Sequence, residues 1–391
     1  MGLARRIIAF VGPLLLAVVL GYAPTASAEP DTSLEGRLDA VITATIAELG
    51  VPGAIVGISV PGDIDYVKAF GTADRGAGTP MSVADHSRIG SVTKTFTGTA
   101  VLQLVDQGRI SLQDPISRYV EGVPNGDVIT LDQLGRMRSG LPSYTDDETF
   151  MKRLFADSPR GPDAFPFTSG QLLDVAFKHP VKFAPGADFE YSNTNTVLLG
   201  LVVEKVTGQS LADYLQQNVF DRLGLTETSY PPNGLMPEPF ANGVTPSPDG
   251  RIVDATSWNP SWANAAGQIV STYQDLKTWA AALGRGTLVN PQTQAQRVQG
   301  ESIIPGVGYG FTIFDVHGWI GHNGDIPGYA TVLVYLPERD ATLVVLVNSD
   351  VPENHSAGVL ATAVTELVTP ESVYVLGASA PTQTPEPSAS R

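Results

Sequence analysis

Between residues 34 and 49 the apolar side chains fall three or four positions apart, at Leu34, Leu38, Ile42, Ile46 and Leu49. That spacing gathers them on one side of a helix, so the stretch 33–49 is predicted as an amphipathic helix closed by Gly50 and Pro52. Two strand-like runs follow, GAIVGISV and IDYVKAFG, separated by Pro61-Gly62-Asp63, a hairpin-turn composition. From Ser91 to about Gly108 the pattern is helical again, with Phe96, Val101, Leu102, Leu104 and Val105 as its apolar positions. The middle, to about residue 265, mixes Pro/Gly-rich loops with three clear helical stretches: SGQLLDVAFKH, NTVLLGLVVEKVTG and SLADYLQQNVFDRLG. STYQDLKTWAAALG begins with a good capping residue and ends at Gly284. Beyond it the period returns to two, and YGFTIFDV, GWIGHNG, YATVLVYLP and ATLVVLVNS read as successive antiparallel strands before a last helix over about 355–368.

Strands at both ends and helices between them have a simple physical solution. The terminal strands join one antiparallel sheet with the terminal helices packed on it, and the helical middle forms a second lobe. This α+β arrangement assigns about 29–90 and 265–370 to the sheet lobe and about 91–264 to the helical lobe. A cleft between lobes is where a site is expected. No internal repeat is visible, which excludes solenoids and propellers.

The ends of the 391-residue chain read differently from its body. Arg5 and Arg6, the apolar run Ile7–Leu20 and Ala26-Ser27-Ala28 make residues 1–28 a cleavable secretory signal; an uncleaved N-terminal anchor is the alternative. The expected location is therefore outside the cytoplasm, secreted or in the cell envelope, with no stable membrane span after signal cleavage. The tail, 377–391, is Pro/Ser/Thr-rich without apolar periodicity and is expected to be disordered. The chain has no cysteine, which excludes disulfides, a thiolate nucleophile and a thiolate metal site. Its formal charge of −16 becomes −18 once Arg5 and Arg6 are removed with the signal, and such a surface repels nucleic acid and anionic membranes.

Three short stretches carry candidate chemistry. In RIGSVTKTF, Ser91 stands three positions before Lys94, on the same side of a helix start. Ser91 is there either a helix cap or a nucleophile. A lysine held among apolar residues loses its proton more readily and can then accept one from a serine hydroxyl. In FEYSNTNTVLLG, Tyr191 and Asn193 precede an apolar helix; they are either a packing tyrosine and a cap, or a proton relay and an amide that holds Lys94 and a substrate carbonyl. In WIGHNGDIPGYATVLVYLP, His322-Asn323-Gly324 ends one strand, and Gly324 allows a substrate backbone to approach the strand edge. His317 and His322 lack an acid or third histidine at ligand spacing, so no metal site and no cofactor are expected.

Taken together, Ser91-Val92-Thr93-Lys94, Tyr191-Ser192-Asn193 and His322-Asn323-Gly324 resemble, in order and context, the signature of the serine β-lactamases and penicillin-binding proteins. The likeness is to the class C β-lactamase and secreted D-alanyl-D-alanine carboxypeptidase branch and extends through LQLVDQGRISLQDPI, RSGLPSYTDD, APGADFEYSNTN and SWANAAGQIVSTYQDL, over about residues 35–370. It implies a β-lactamase-like (DD-peptidase) fold and a hydrolase in which Ser91 is acylated. Its proton passes to Lys94 and Tyr191, and the Ser91 N–H and an N–H after Gly324 hold the oxyanion. Asn193, His322, Asn323 and Gly324 line the substrate, and Tyr191 or His322 assists the releasing water. The implied substrate is a cell-wall peptide ending in D-Ala-D-Ala or another small acyl compound, with β-lactams as covalent ligands.

Three departures bear on the substrate. The strand region FTIFDVHGWIG has no arginine or lysine to meet a terminal carboxylate, although Arg138 stands elsewhere as a possible substitute. Asp325 occupies a position where relatives often have a hydroxyl, and the third motif starts with His rather than Lys, which disfavours efficient β-lactamase action. The carboxypeptidase expectation therefore stands beside two alternatives, an esterase or amidase on neutral acyl substrates and a non-catalytic sensor of wall fragments or β-lactams. The chain lacks the G-x-S-x-G of α/β-hydrolase esterases.

Overall fold

The structure is a computed structural model that describes residues 32–351 and 356–376; the signal 1–28 and the tail 377–391 lie outside the described residues. Nine strands form one sheet in the order Thr79–Pro80, Ile64–Asp74, Gly53–Val60, Ala341–Val347, Tyr329–Leu336, Trp319–Ile326, Phe314–Val316, Val307–Tyr309 and Glu301–Ile304. Every pairing is antiparallel. The sheet closes where the amino-terminal hairpin meets the last strand, with Ala54 opposite Val347 and Ile58 opposite Leu343.

The last strand shows why the sequence needs cover on both faces. Leu343, Val345 and Val347 join a core with Leu38 and Ile42 of helix Leu34–Leu49 and Leu360 and Val364 of helix Ser356–Val368. Val344 and Leu346 point the other way, into a core with Trp279 of helix Tyr273–Arg285 and Phe96 of helix Thr93–Asp106. Alternate residues of one apolar run thus fill two cores. Each such Val or Leu contributes about 1.5–3 kcal/mol by leaving water.

Helix Thr93–Asp106 is buried on nearly all sides from Thr93 to Leu102. It packs on helix Asn193–Thr207 and is fixed to Tyr273–Arg285 by the stacked rings of Phe96 and Trp279, 4.1 Å apart, and by Trp279 Nε1 donating to Thr95 Oγ1 at 2.8 Å. The helix that begins at the candidate site is therefore clamped between the sheet and the other helices.

Several elements differ from the sequence pattern. YGFTIFDV, read as one strand, folds back on itself so that Phe314 pairs with Tyr309; Thr312 takes φ +59° in the bend, and Phe311 and Ile313 enter the core. Alternation alone does not reveal the reversal, because both arms keep the same period. The strand Glu301–Ile304 has no strong apolar pattern, since it is mostly exposed. The helix at 273 runs to Arg285, one residue beyond the expected stop, with Gly286 as its left-handed cap. No side chain caps its start: Ser271 is engaged with Thr228 instead.

Candidate active site

Ser91 sits in a one-turn 3-10 segment, Gly90–Val92, that feeds into helix Thr93–Asp106. Its side chain makes no capping bond, so the helix-cap reading of Ser91 does not hold. The turn is held by Ile89 N donating to the Ile269 carbonyl at 3.1 Å and by close packing against strand Trp319–Ile326. At that contact backbone meets backbone. A Cβ on Gly324 would lie 2.1 Å from the Ile89 carbonyl oxygen and 2.9 Å from the Ser91 nitrogen, and one on Gly90 would lie 2.9 Å from the Asp325 nitrogen. Gly324 thus admits the turn that carries Ser91, whereas the sequence pointed to a substrate backbone there.

The same contact brings together two backbone nitrogens. Strand Phe314–Val316 pairs with Trp319–Ile326 only as far as Gly321, leaving the edge of 322–326 facing the Ser91 turn. On the other edge Ile326 pairs with Tyr329 across the two-residue turn Pro327-Gly328. The backbone nitrogens of Ser91 and Asp325 both lie at this contact between the turn and the strand, each 2.9 Å from the position that a Cβ on Gly324 and on Gly90, respectively, would take.

Lys94 lies one helical turn after Ser91 and is fully buried. Its Nζ is 2.8 Å from Ser91 Oγ and 2.9 Å from the Ala266 carbonyl. Burial holds its pKa well below the ordinary lysine value, since no carboxylate bonds the amine to favour its charged form. The Tyr191 ring stands 4.9 Å from Lys94 Nζ, and its hydroxyl bonds Ser91. Withdrawal from water and the charge of Asp325 raise the Tyr191 hydroxyl above the ordinary phenol value, while the bond to Ser91 opposes this. Ser91, Lys94 and Tyr191 thus meet in one hydrogen-bonded group.

The remaining candidates are placed less as expected. Asn193 donates from Nδ2 to Thr145 Oγ1 at 3.1 Å and from its backbone to Ser143 Oγ at 3.1 Å; its amide is directed to Thr145, and Lys94 bonds Ala266 instead. His322 is 1% exposed, with Nδ1 2.5 Å from the Asn323 carbonyl and Nε2 3.2 Å from the Tyr309 hydroxyl. Burial and then the nearby Lys94 push its pKa down to about 3, so the ring is neutral at ordinary pH. Both ring nitrogens are engaged, and His322 is not among the residues that line the cavity. Asn323 Nδ2 donates to Asp325 Oδ2 at 3.3 Å.

Ser91 opens onto a cavity of about 300 Å³. Met151, Phe155, Trp262, Ile326 and Pro327 give it an apolar wall, and Thr145, Asn193, Asp325 and Asp350 supply polar groups. Among the described residues, none that lines it is a lysine, arginine or histidine. Arg138, the possible carboxylate anchor, is paired with Glu301 at 2.6 Å and is not part of the lining. Sequence reading missed Ser143, Thr145, Trp262 and Asp350. The first three stand in stretches already notable for their resemblance, RSGLPSYTDD and SWANAAGQIVSTYQDL, but Asp350 follows an ordinary strand and carried no signal. Among the described residues no group of three or more His, Cys, Asp or Glu side chains could hold a metal ion.

A sheet flanked by terminal helices, with Ser-x-x-Lys, Tyr-x-Asn and His-Asn-Gly brought together beside a cavity, is the arrangement of a β-lactamase-like fold. The chain belongs to the Beta-lactamase family, whose profile matches residues 38–366. Among solved structures it is similar to a D-stereospecific amidohydrolase from Streptomyces sp., at 33% identity and TM-score 0.72, covering 81% of this chain and 94% of that one. It is also similar to the D-amino acid amidase of Ochrobactrum anthropi SV3 complexed with L-phenylalanine amide, at 28% identity and TM-score 0.75, covering 86% and 97%. Among curated proteins it is 27% identical over 331 residues to Protein flp of Staphylococcus aureus (strain MRSA252), covering 80% of this chain and 62% of that protein. Esterase EstB of Burkholderia gladioli is 33% identical over 234 residues, 58% of each chain. The chain thus spans less than two thirds of the length of these curated relatives.

Proposed function

We propose that the protein is a serine acyl-enzyme hydrolase acting on small amides or esters. The observation that carries the reading is the 2.8 Å contact between Ser91 Oγ and a fully buried Lys94 amine that has no carboxylate partner among the described residues. In this reading the neutral amine, with Tyr191, takes the Ser91 proton as Oγ attacks the substrate carbonyl. The N–H groups of Ser91 and Asp325 receive the developing oxyanion, a contribution of about 3–4 kcal/mol per well-placed donor. The same Lys94–Tyr191 pair then returns the proton to the leaving group. Water then attacks the acyl-enzyme, giving its proton to the neutral Lys94 amine by way of the Tyr191 hydroxyl, and the proton returns to Ser91 Oγ as the acyl bond breaks.

The substrate preference follows from the lining. Apolar side chains from Met151, Phe155 and Trp262 suit an aromatic or aliphatic acyl part. A terminal carboxylate would find Asp325 and Asp350 and, among the described residues, no cation. This favours an amidase or esterase over the D-alanyl-D-alanine carboxypeptidase expected from the motifs, and it makes β-lactams, which carry a carboxylate, slow covalent ligands. Likeness to amidases and an esterase supports the same choice. A non-catalytic sensor has no use for a lysine whose burial disfavours its charge, so that reading is the weakest. Export remains part of the proposal and rests on residues 1–28 alone.

The test compares D-alanine release from a peptide ending in D-Ala-D-Ala with hydrolysis of simple amides and esters, using Ser91→Ala as control. Ser91-dependent cleavage of amides or esters with little D-alanine release supports the proposal. Efficient D-alanine release would restore the carboxypeptidase.

A further inference from the structure

We propose that Tyr309 is a positioning residue of this site. Its hydroxyl donates to His322 Nε2 and fixes the proton of that ring on Nδ1; the ring in turn holds the Asn323–Gly324 backbone against the turn that carries Ser91. The inference rests on the reading above, in which Ser91 is acylated, and adds a residue that takes no part in the acyl transfer itself.

The chain reversal at Thr312 brings Tyr309 to His322. Tyr309 ends strand Val307–Tyr309 and stands opposite Phe314, and Phe314 stands opposite Gly321, one residue before His322. Both side chains are closed off from water, Tyr309 at 2% exposure and His322 at 1%. The two contacts of the imidazole determine its tautomer. Nδ1 lies 2.5 Å from the Asn323 carbonyl, which can only accept, so Nδ1 carries the proton. In the neutral ring Nε2 is then an acceptor, and the Tyr309 hydroxyl, 3.2 Å away, is its donor. Burial raises the Tyr309 phenol well above its ordinary pKa, so it keeps the proton that it donates.

Two hydrogen bonds thus run in series, from Tyr309 to the His322 ring and from the ring to the Asn323 carbonyl. The next residue is Gly324, packed so tightly on the turn that a Cβ there would lie 2.1 Å from the Ile89 carbonyl oxygen. That contact has no slack, so a His322 ring free to turn passes its displacement to the backbone beside Ser91. The Tyr309 ring has a separate task. It stands edge-on to Tyr191, with centroids 6.3 Å apart, and to Phe314 at 4.7 Å, and Phe314 packs on His322 at 4.8 Å. Tyr309→Phe keeps this packing and removes only the donor to Nε2. A buried acceptor left without its donor is costly, and a turn of the imidazole toward another partner reaches Asn323. Contacts to an oxyanion are made in the transition state, so the displacement lowers kcat more than it raises KM.

The experiment follows p-nitrophenyl acetate hydrolysis at pH 7 by wild type, Tyr309→Phe, His322→Phe and the double variant, beside 15N spectra of each protein labelled in its histidine rings. The His322 signals are those missing from His322→Phe; His322→Asn serves both purposes if that variant does not fold. Wild type should show His322 with a proton on Nδ1 and none on Nε2, and the Nε2 signal should move in Tyr309→Phe. Tyr309→Phe should lower kcat about tenfold, the size of one hydrogen bond, with KM changed less than about threefold. Without His322 the same substitution should change kcat less than about twofold, because Tyr309 acts through that ring. A proton on Nε2 in wild type, a kcat of Tyr309→Phe within about twofold of wild type, or an equal loss with and without His322 overturns the inference. The tautomer is read without turnover. Equal hydrolysis by wild type and Ser91→Ala therefore removes the hydrolase reading, and the role of Tyr309 in it, whatever the tautomer.

Discussion

Lys94 Nζ lies 2.8 Å from Ser91 Oγ, and its other hydrogen bond is to the Ala266 carbonyl, not to a carboxylate. Burial in that position disfavours the protonated form of the amine. Water is excluded from it by a helix buried from Thr93 to Leu102, and among the described residues no carboxylate bonds it. On the proposed mechanism, the fold forgoes stability at this point to keep a base next to a hydroxyl.

Replacing Lys94 by Met should make the protein more stable and inactive together. Below about pH 10.4 an unfolded lysine holds a proton that the folded one sheds as its pKa falls, at about 1.4 kcal/mol per unit of depression. The site therefore costs stability at neutral pH, and the cost shrinks as pH rises toward 10. Thermal unfolding of Lys94→Met at pH 7 should show a midpoint about 2 °C or more above wild type, with kcat/KM for a simple ester about 100- to 10,000-fold lower. A lower midpoint would show that Lys94 is held by favourable contacts that its burial conceals.

Removing only the hydroxyl of Tyr191 tests the relay. Tyr191→Phe keeps the ring over Lys94 and loses the bond to Ser91. Steady-state kinetics should show kcat reduced about 100-fold or more with KM changed by less than about threefold. Unchanged kcat would leave Lys94 as the sole base.

His322 should register in acid stability. Its pKa falls from 6.5 to about 3 on folding, so the unfolded chain binds the extra proton between those values. Its contribution is complete above pH 6.5 and is lost as pH falls toward 3, with a slope of up to about 1.4 kcal/mol per pH unit. Denaturant midpoints from pH 7 to pH 4 should fall less steeply for His322→Asn than for wild type. Parallel curves would mean that the ring is protonated in the folded protein.

Gly324 has a steric requirement. A methyl there would meet the Ile89 carbonyl at 2.1 Å and displace the turn that carries Ser91. Gly324→Ala should unfold at lower denaturant, with a loss of about 1–3 kcal/mol, and lose most activity through a lower kcat. Wild-type kcat in that variant would show that the strand and the turn move apart freely.

Much of this was legible in the sequence. The helix 34–49, the hairpin about Pro61-Gly62-Asp63 and the late apolar strands follow from periodicity, because each packs one repeating face. Three motifs in order located Ser91, Lys94 and Tyr191 within one site. What the sequence hid depends on contacts distant in the chain. Gly324 faces Ile89, His322 is closed off by Tyr309, Asn193 is drawn to Thr145, and Asp350 arrives from beyond the last strand. Spacing within a motif carries no information about such partners.

The most direct measurement is covalent. Wild type and Ser91→Ala are each incubated with a fluorophosphonate probe, and intact mass and peptide mapping locate the adduct. One adduct per chain on Ser91, absent from the variant, is the expected result. An adduct on another residue, or undiminished labelling of Ser91→Ala, would contradict the assignment of Ser91 as the nucleophile.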